Sequence, residues 1–409
     1  MSLRMYRVTQ RFDAAAVADP GAEVRRAFTA LELPAGLRPG MRVAVCVGSR
    51  GIASLPELVA ATVASLRGLG LKPFIVPAMG SHGQACAEGQ TALLKSLGVS
   101  EDSMGVPVAA DMAVEELGRT ESGARILFSR EALKADWIVP VARIKPHTIL
   151  SAAVQSGLCK MLVIGCGKHA GAQEYHKFDI CSQLLPAAHF LLQRLSILAG
   201  VAVVENAADR LCEIRLVRPE RFIETDTELL LLAASRMARL PLDALDLLII
   251  DKIGKDICGS GADLNITGKW RRDGGPRVPD YQWIAALDLT DASHGNALGM
   301  GSIDLISERF RRKIDYKATT INAVTCGQLR SGRTPICLGT DRQLLETVLN
   351  LLPDPMQARV ARIRTTRDLD CFWASAACLA ELRARPGVRV DGEALELRFT
   401  DRGDLLPPA

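Results

Sequence analysis

Short apolar runs alternate along the chain with polar segments of helical periodicity. Near-continuous β-branched and apolar runs predict buried strands at 42–48, 73–78, 137–144, 162–165 and 201–204. Apolar positions three and four apart predict helices at 55–68 and 224–239. A second series predicts strands at 247–251, 283–289, 319–324, 336–338 and 358–365, helices at 341–352 and 370–385, and a hairpin at 388–400 around Asp391-Gly392.

Strands without polar alternation, separated by helices, predict an α/β fold with mostly parallel sheets covered by helices. The 409 residues exceed what one hydrophobic core usually fills, so two α/β domains are expected. The second strand series begins shortly after Leu240-Pro241. We therefore predict domains at 1–240 and 241–409.

Composition narrows the class of function. Aromatic residues make up 4% of the chain and the net charge is +4 without clustering, which argues against binding of nucleic acid. The longest apolar runs are interrupted by polar residues, so no membrane span is expected. Eleven cysteines without CxxC pairs, and an N-terminus without an apolar signal core, indicate a reduced cytoplasmic protein.

Polar motifs follow several of the predicted strands. They are Gly48-Ser49-Arg50-Gly51, Gly80-Ser81-His82-Gly83, Lys145-Pro146-His147-Thr148 and Gly165-Cys166-Gly167-Lys168-His169. In α/β proteins the loops at the carboxyl ends of parallel strands carry the functional residues. We therefore expect these motifs to share one pocket, provided that the strands are parallel.

Three residues in these motifs suit catalysis. His82 and His147 lie on loops stiffened or opened by proline and glycine, and an imidazole exchanges protons near neutral pH. Lys160 precedes an apolar run, where burial would lower its pKa and expose a nucleophilic amine. The alternatives are an exposed turn histidine, a structural histidine and a solvated lysine.

His169 and His176 are seven residues apart, which places both on one face of a helix. Imidazole is a ligand for nickel, copper and zinc. Two histidines cannot hold a bare metal tightly, so a metal here would need further ligands, such as those of a cofactor. The alternative is a pair of histidines on a solvated helix face.

Two glycine-rich segments allow other readings. Residues 165–170 resemble the GxGxx(G/A) dinucleotide fingerprint, but the acidic residue expected about twenty positions later is missing. Residues 259–269 form a glycine-rich region which, with Lys252, Lys255 and Lys269, could bind a carboxylate or phosphate. A surface loop with solvated lysines is the alternative.

Taken together, these residues resemble the nickel-dependent lactate racemases. That family has two α/β domains with the active site in the cleft between them. Its cofactor is a nickel-pincer nucleotide, the nickel complex of pyridinium-3,5-bisthiocarboxylic acid mononucleotide. A lysine tethers the cofactor as a thioamide, and a histidine sixteen residues later binds nickel; Lys160 and His176 have that spacing.

The resemblance assigns further roles. His82 and His147 match the two histidines that alternate as acid and base. Arg50 matches the arginine of an early Asp-x-x-Arg loop and would bind substrate with Lys252, Lys255 and Lys269. The cofactor-binding residues implied alongside Lys160 in the N-terminal domain are Ser156, Gly157, Lys168 and His169.

The chain departs from the family where substrate would be bound. Val47 or Gly48 stands at the aspartate position of the early loop. The family's C-terminal Tyr-Gln pair is matched by Tyr281-Gln282, but no lysine follows closely, and Lys269 or Arg271 is a candidate substitute. We therefore expect the same cofactor and a substrate other than lactate.

The implied reaction is inversion of a secondary alcohol carbon in a 2-hydroxy acid by reversible hydride transfer to the cofactor. The implied partners are a small-molecule hydroxy acid and the proteins that make the pincer cofactor; a homo-oligomer is left open. Two alternatives remain: an NAD-dependent dehydrogenase using residues 165–170, and a non-catalytic nickel- or nucleotide-binding homologue.

Overall fold

The computed structural model describes residues 3–49, 51–178 and 180–407. They form two compact units, which we call the N-terminal unit (Asp13–Met237) and the C-terminal unit (Met1–Phe12 with Ala238–Ala409). Each contains a mostly parallel sheet with helices, so the predicted α/β class is confirmed. The division differs from the predicted 1–240 and 241–409 because the first strand pairs within the C-terminal unit.

The strands, in chain order, are β1 (Arg4–Gln10), β2 (Arg42–Val47), β3 (Lys72–Pro77), β4 (Val114–Arg119), β5 (Arg125–Ser129), β6 (Trp137–Arg143), β7 (Gly200–Glu205), β8 (Leu211–Val217), β9 (Ala244–Ile253), β10 (Asp280–Leu289), β11 (Leu305–Ser307), β12 (Ile336–Leu338), β13 (Val360–Ile363), β14 (Cys371–Ser375) and β15 (Val388–Glu396).

The helices are α1 (Pro20–Thr29), α2 (Leu55–Gly68), α3 (Ala87–Ser96), α4 (Glu101–Met104), α5 (Arg130–Leu133), α6 (Leu158–Lys160), α7 (Lys168–Lys177), α8 (Ile180–Arg194), α9 (Phe222–Arg236), α10 (Leu264–Thr267), α11 (Trp270–Asp273), α12 (Glu308–Arg312), α13 (Tyr316–Thr325), α14 (Asp341–Asn350) and α15 (Leu379–Ala384). A π-helical segment, Met161–Gly165, continues directly from α6.

The N-terminal unit is built on a sheet of order β3-β2-β6-β7-β8, in which β3, β2, β6 and β7 are parallel and β8 is antiparallel. Successive side chains of β2 pack into two different cores. Ala44 and Cys46 join one core, whereas Val43, Val45 and Val47 join the other. The sheet is therefore buried on both faces, as its lack of polar alternation predicts.

The C-terminal unit has a sheet of order β12-β11-β10-β9-β13-β14-β1-β15. The strands from β12 to β13 are parallel, and β14, β1 and β15 continue the sheet in antiparallel pairs. A core that includes Leu247, Ile249, Ala285 and Leu287 lies against this sheet.

Four predicted elements are wrong. Residues 162–165 belong to the π-helical segment and 319–324 to α13, because an apolar run of four to six residues does not distinguish strand from helix. Residues 370–385 begin as β14 before α15. The 388–400 hairpin is instead the long strand β15, which pairs with β1, a strand that the sequence did not indicate.

Among the described residues, no helix combines the length and apolar character that crossing a membrane requires.

Candidate active site

In the N-terminal sheet, the order in which the chain adds strands reverses at β2. The chain adds β3 on one side of β2 and then β6 and β7 on the other, and all four strands are parallel. Ligands of open α/β sheets bind outside the carboxyl ends of the strands at such a switch point. We call residues 48–54, 78–83 and 144–157, which follow β2, β3 and β6, the carboxyl-end loops. They contain Ser49, His82 and His147.

His82 is connected to the loop after β2. A short hydrogen bond joins its Nδ1 to Ser49 Oγ. The buried side chain of Gln90, on α3, donates from Nε2 to Gly80 O at 2.9 Å and to His82 O at 3.3 Å. The backbone that carries His82 is thus held by a residue eight positions later.

Lys168 contacts the residues that hold the same loop. Its side chain is 0% exposed, and Nζ donates to Pro77 O at 2.5 Å and to Gln90 Oε1 at 3.2 Å. Burial lowers the pKa of Lys168. The arrangement gives Lys168 a structural role beneath His82, and its contact with a cofactor stays a prediction.

The loop after β6 is closed by reciprocal hydrogen bonds. Ser156 Oγ accepts from Lys145 N and donates to Lys145 O, both at 2.8 Å. His147 N donates to Gln155 Oε1 at 2.9 Å. The sequence identified Ser156 as a cofactor ligand; in the structure this hydroxyl shapes the loop that carries His147.

The ring of His147 is oriented by backbone amides. Ile149 N and Leu150 N both donate to its Nδ1 at 3.1 Å. A neutral imidazole that accepts at Nδ1 carries its proton on Nε2. His147 is therefore arranged to present an N–H donor from Nε2.

Lys160 ends a tight turn that starts at Gly157. Gly157 has φ +95°, and Met161 N donates to Gly157 O at 2.9 Å. Lys160 Nζ donates to Gln155 O at 3.1 Å, so Gln155 connects the predicted base His147 with the predicted tether. The turn is closed by Asp226 of α9, which accepts from the amides of Leu158 and Cys159.

His176 lies within electrostatic reach of Lys160. His176 is exposed in the last turn of α7, whose Glu174 pairs with Arg125 of β5 at 2.9 Å. Partial desolvation, and then the charge of Lys160, lower the pKa of His176, which favours the neutral imidazole that ligates metals.

Polar atoms without partners lie on the same helix. His169 Nδ1 and Tyr175 Oη are buried and have no hydrogen-bond partner among the described residues. Within those same residues, no group of three or more His, Cys, Asp or Glu side chains is arranged to hold a metal ion. Buried polar atoms usually have a hydrogen-bond partner, and a bound polar cofactor is one group that could supply it.

The π-helical segment packs against the carboxyl-end loops. Gly80 N donates to Gly165 O at 3.1 Å, and a Cβ on Gly165 would lie 2.7 Å from Ala78 O. A Cβ on Gly48 would lie 3.0 Å from the terminal carbon of Met161. The glycines at these points therefore permit close approach of the loops to the segment after Lys160.

Residues 51–53 are held by an ion pair between strand ends. Arg143 of β6 pairs with Glu205 of β7 and donates to Gly51 O at 3.1 Å, while Glu205 accepts from Ala53 N at 2.7 Å. The predicted substrate ligand Arg50 lies outside the described residues.

The lysines of the C-terminal unit have local partners. Lys255 Nζ donates to Gly259 O at 2.7 Å, and burial lowers the pKa of Lys255. Lys252 is exposed, and its charge acts on Asp291. Lys269 immediately precedes α11 and is half-buried. Their roles toward substrate stay predictions.

Arg271, a candidate substitute for the missing family lysine, is engaged in the fold. Its guanidinium pairs with Asp304 at 2.5 Å and donates to the backbone oxygens of Tyr281 and Gln282. Tyr281 is 1% exposed and donates its hydroxyl to Leu242 O at 3.0 Å. Arg271 and Tyr281 are thus held by contacts within the C-terminal unit, and the roles of Arg271 and Lys269 toward substrate stay predictions.

The sequence did not reveal Gln90, Gln155 and Asp226 as site residues. Gln90 and Gln155 are ordinary polar residues without a local signal. Asp226 had one, because it interrupts the apolar face of α9 formed by Phe222, Leu229 and Ala233, all of which are buried. An acidic residue in such a stripe requires a partner.

Comparison with known proteins places the chain. Residues 4–184 match the lactate racemase N-terminal domain family. This part of the chain, which is less than half of the 409 residues, is therefore similar to the lactate racemase N-terminal domain.

The fold agrees with this placement over most of the chain. A solved structure, the lactate racemase apoprotein from Thermoanaerobacterium thermosaccharolyticum, is similar at 12% identity with a TM-score of 0.54. The similarity covers 90% of this chain and 99% of that chain, and at this identity it shows the shared fold. No curated protein matches the chain by sequence.

The lactate racemase-like match includes the residues that carry the candidate site. His82, His147, Lys160 and His176 all lie within residues 4–184. The shared fold by itself assigns no activity to the chain.

Proposed function

We propose that the protein is a racemase or epimerase that inverts the secondary alcohol carbon of a 2-hydroxy acid. It would use a nickel-pincer nucleotide attached to Lys160. The observation that carries this proposal is that Lys160 bonds to Gln155 O, in the loop of His147, while its charge acts on His176.

The residues present fit such a cofactor. Lys160 supplies an amine for the thioamide, and His176 supplies an imidazole for nickel while the remaining donors come from the cofactor itself. His169 has a buried Nδ1 that lacks a partner among the described residues, as expected of a group that a bound polar molecule completes. Gly157 permits close approach of backbone at the tether.

When bound, the cofactor would supply a reversible acceptor for the hydride of the substrate carbon. The chain's own residues would move the hydroxyl proton. His82 and His147 follow β3 and β6, which flank β2, and strands two positions apart are separated by about 10 Å. That spacing supports placement of one imidazole on each side of a small substrate.

The two imidazoles differ before substrate binds. The backbone amides of Ile149 and Leu150 leave His147 with its proton on Nε2, whereas His82 Nδ1 pairs with a hydroxyl that can either donate or accept. In our account His147 starts as the hydrogen-bond donor and His82 as the base. Roles reverse for the other stereoisomer, as two-sided proton transfer requires.

Binding of the substrate carboxylate is assigned to cations. Arginine's planar guanidinium suits a carboxylate, and Arg50 is our first candidate. Lys252, Lys255 and Lys269 are further candidates. Because these substrate ligands are where the chain departs from the lactate racemases, we propose a hydroxy acid other than lactate.

The dehydrogenase alternative loses its structural basis. The dinucleotide fingerprint requires glycines that follow a strand and open a helix. Here Gly165 ends a π-helical segment, and no strand leads into the motif. A non-catalytic binding protein remains the second candidate, since neither the family nor the fold demonstrates turnover.

The test is racemisation by protein produced together with the pincer-cofactor biosynthesis proteins. Single enantiomers of 2-hydroxy acids with small, acidic and aromatic side chains are incubated with it, and both enantiomers are quantified by chiral chromatography. Appearance of the opposite enantiomer without net oxidation supports the proposal. Loaded protein that inverts none of them would favour the non-catalytic reading, and net formation of the keto acid would favour a dehydrogenase.

A further inference from the structure

Asp226 is a buried acid on α9 that acts on a turn far away in sequence. Its side chain is 1% exposed. Oδ1 accepts from Leu158 N at 3.0 Å and Oδ2 accepts from Cys159 N at 2.8 Å. Both carboxylate oxygens are thus used by the two residues that immediately precede Lys160.

The turn is shaped around this carboxylate. Gly157 has φ +95°, a conformation that side chains rarely adopt, and a Cβ there would lie 2.3 Å from Asp226 Oδ1. Only glycine lets the carboxylate approach so closely. The first amides of the helix that contains Lys160 would otherwise be unpaired in the core.

Asp226 also acts on the residue beside the tether. The Cys159 thiol is buried, and the backbone amide of the same residue donates to the carboxylate. Burial and the negative charge of Asp226 raise the pKa of the Cys159 thiol, which disfavours the thiolate. Of the two neighbouring nucleophiles, the thiol is suppressed and the amine of Lys160 extends to Gln155 O.

We propose that Asp226 is a positioning residue that presents the Lys160 amine for cofactor attachment and excludes Cys159 as a competing nucleophile. This inference rests on the proposed function, because it concerns the tether. Asp226 touches neither substrate nor cofactor and acts through the turn.

The attachment step itself is balanced without a redox partner. The neutral amine nitrogen of Lys160 forms a bond to the thiocarboxyl carbon of the cofactor. One amine proton and the hydroxyl of that thiocarboxyl group leave together as water, and the sulfur is retained in the thioamide. No oxidant or reductant is consumed.

The test compares Asp226→Asn and Asp226→Ala with a control substitution in the N-terminal unit. The control lies in the core on the opposite face of the sheet from Leu158 and Cys159. Leu58, on α2, is 0% exposed and belongs to that second core, so Leu58→Ala destabilises the unit without touching the turn. All proteins are produced with the cofactor biosynthesis proteins. The fraction carrying an adduct at Lys160 is measured by intact mass and peptide mapping.

We expect adduct occupancy to fall by roughly 10- to 100-fold in both Asp226 variants, as for other residues that orient a ligand through a second contact. Leu58→Ala should load like the wild type even where its melting temperature falls further. Full loading of Asp226→Ala, or equal loss in Leu58→Ala, would overturn the inference.

A second readout on the apoprotein separates this inference from the proposed function. Amide hydrogen exchange should show Leu158 and Cys159 protected in the wild type and unprotected in Asp226→Ala, which removes both acceptor oxygens, with Cys159 alkylated faster. If the wild type carries no adduct, the proposed tether fails, whatever the exchange shows. If the wild type loads but protection at Leu158 and Cys159 is unchanged in Asp226→Ala, the positioning role fails while the tether stands.

Discussion

The two units share an architecture and differ in what their loops do. Each has parallel strands on both sides of one strand, β2 in the N-terminal unit and β9 in the C-terminal unit. In the N-terminal unit, Ser49 links the loop after β2 to His82 in the loop after β3. In the C-terminal unit, Thr290 likewise bonds to Asp256 of another loop, but the side chain of Lys255 bonds within its own loop.

This difference shows that loop composition alone does not make a site. Both units place glycines and lysines after their strands, and the sequence predicts functional roles for both groups. The N-terminal loops are held by buried groups such as Gln90 and Asp226, which fix side chains for chemistry. In the C-terminal unit, Lys252 is exposed and the side chain of Lys255 bonds within its own loop, which suits an adaptable contact with substrate.

The largest expected effect is loss of turnover on removal of either imidazole. His82→Ala or His147→Ala should lower kcat by roughly 100- to 10,000-fold, because general acid–base catalysis contributes about that much. Adduct mass and nickel content should stay at the wild-type level. Normal racemisation by either variant would remove that histidine from the mechanism.

Asp226 should give the N-terminal unit a distinctive pH dependence. Burial raises the pKa of Asp226 to about 6, whereas an unfolded aspartate titrates near 4, so the native state holds the extra proton between these values. The free energy of unfolding should therefore fall by about 3 kcal/mol as the pH rises from 4 to 6, and this contribution is flat above.

Urea denaturation at several pH values measures this dependence as the difference between the wild type and Asp226→Asn. The difference isolates Asp226 from carboxylates with lowered pKa, such as Glu174, whose contribution has the opposite sign. Identical pH profiles for the two proteins would show that Asp226 is not buried as described.

Two glycines provide a matched pair across the units. Gly157→Ala should cost about 2 kcal/mol or more, because φ is +95° and the new Cβ would meet Asp226. Gly259→Ala should change stability by less than about 0.5 kcal/mol, because nothing lies within 4 Å of its Cβ. Thermal denaturation of both variants measures the two losses of stability. Equal losses would contradict the contrast between the two loops.

The smallest effect on catalysis is expected for the C-terminal lysines. Lys255→Ala and Lys252→Ala should each raise KM for the substrate by about ten-fold, or about 1.4 kcal/mol, with adduct occupancy unchanged. Steady-state kinetics with enzymes of matched adduct occupancy would measure the change in KM. An unchanged KM would assign both lysines to the surface.

The fold could be predicted where long apolar runs leave little choice. Strands such as β2, β3 and β6 and helices such as α2 lie within one or two residues of their predicted bounds. Short runs failed, since four apolar residues at 162–165 fit either a strand or the observed π-helical segment. β15 was misread because its partner β1 lies at the opposite end of the chain.

The sequence predicted the candidate catalytic and cofactor-binding residues, but not the buried residues that hold them in place. Histidines and lysines stand out in glycine-rich loops, so His82, His147, Lys160 and His176 could be named. Gln90 has no local signal, and Asp226 interrupts an apolar helix face without showing what it binds. The burial of Lys168 is a tertiary property that the sequence does not show, and this lysine was therefore predicted to bind the cofactor. Only the three-dimensional arrangement shows which loops they hold.

The most direct test of the account is intact mass with nickel analysis of wild type, Lys160→Ala and Lys255→Ala, each produced with the cofactor biosynthesis proteins. These substitutions remove one lysine from each unit. We predict one adduct and about one nickel per chain in the wild type and in Lys255→Ala, and neither in Lys160→Ala. Absence of adduct and nickel from the wild type, or their persistence in Lys160→Ala, would contradict the central claim.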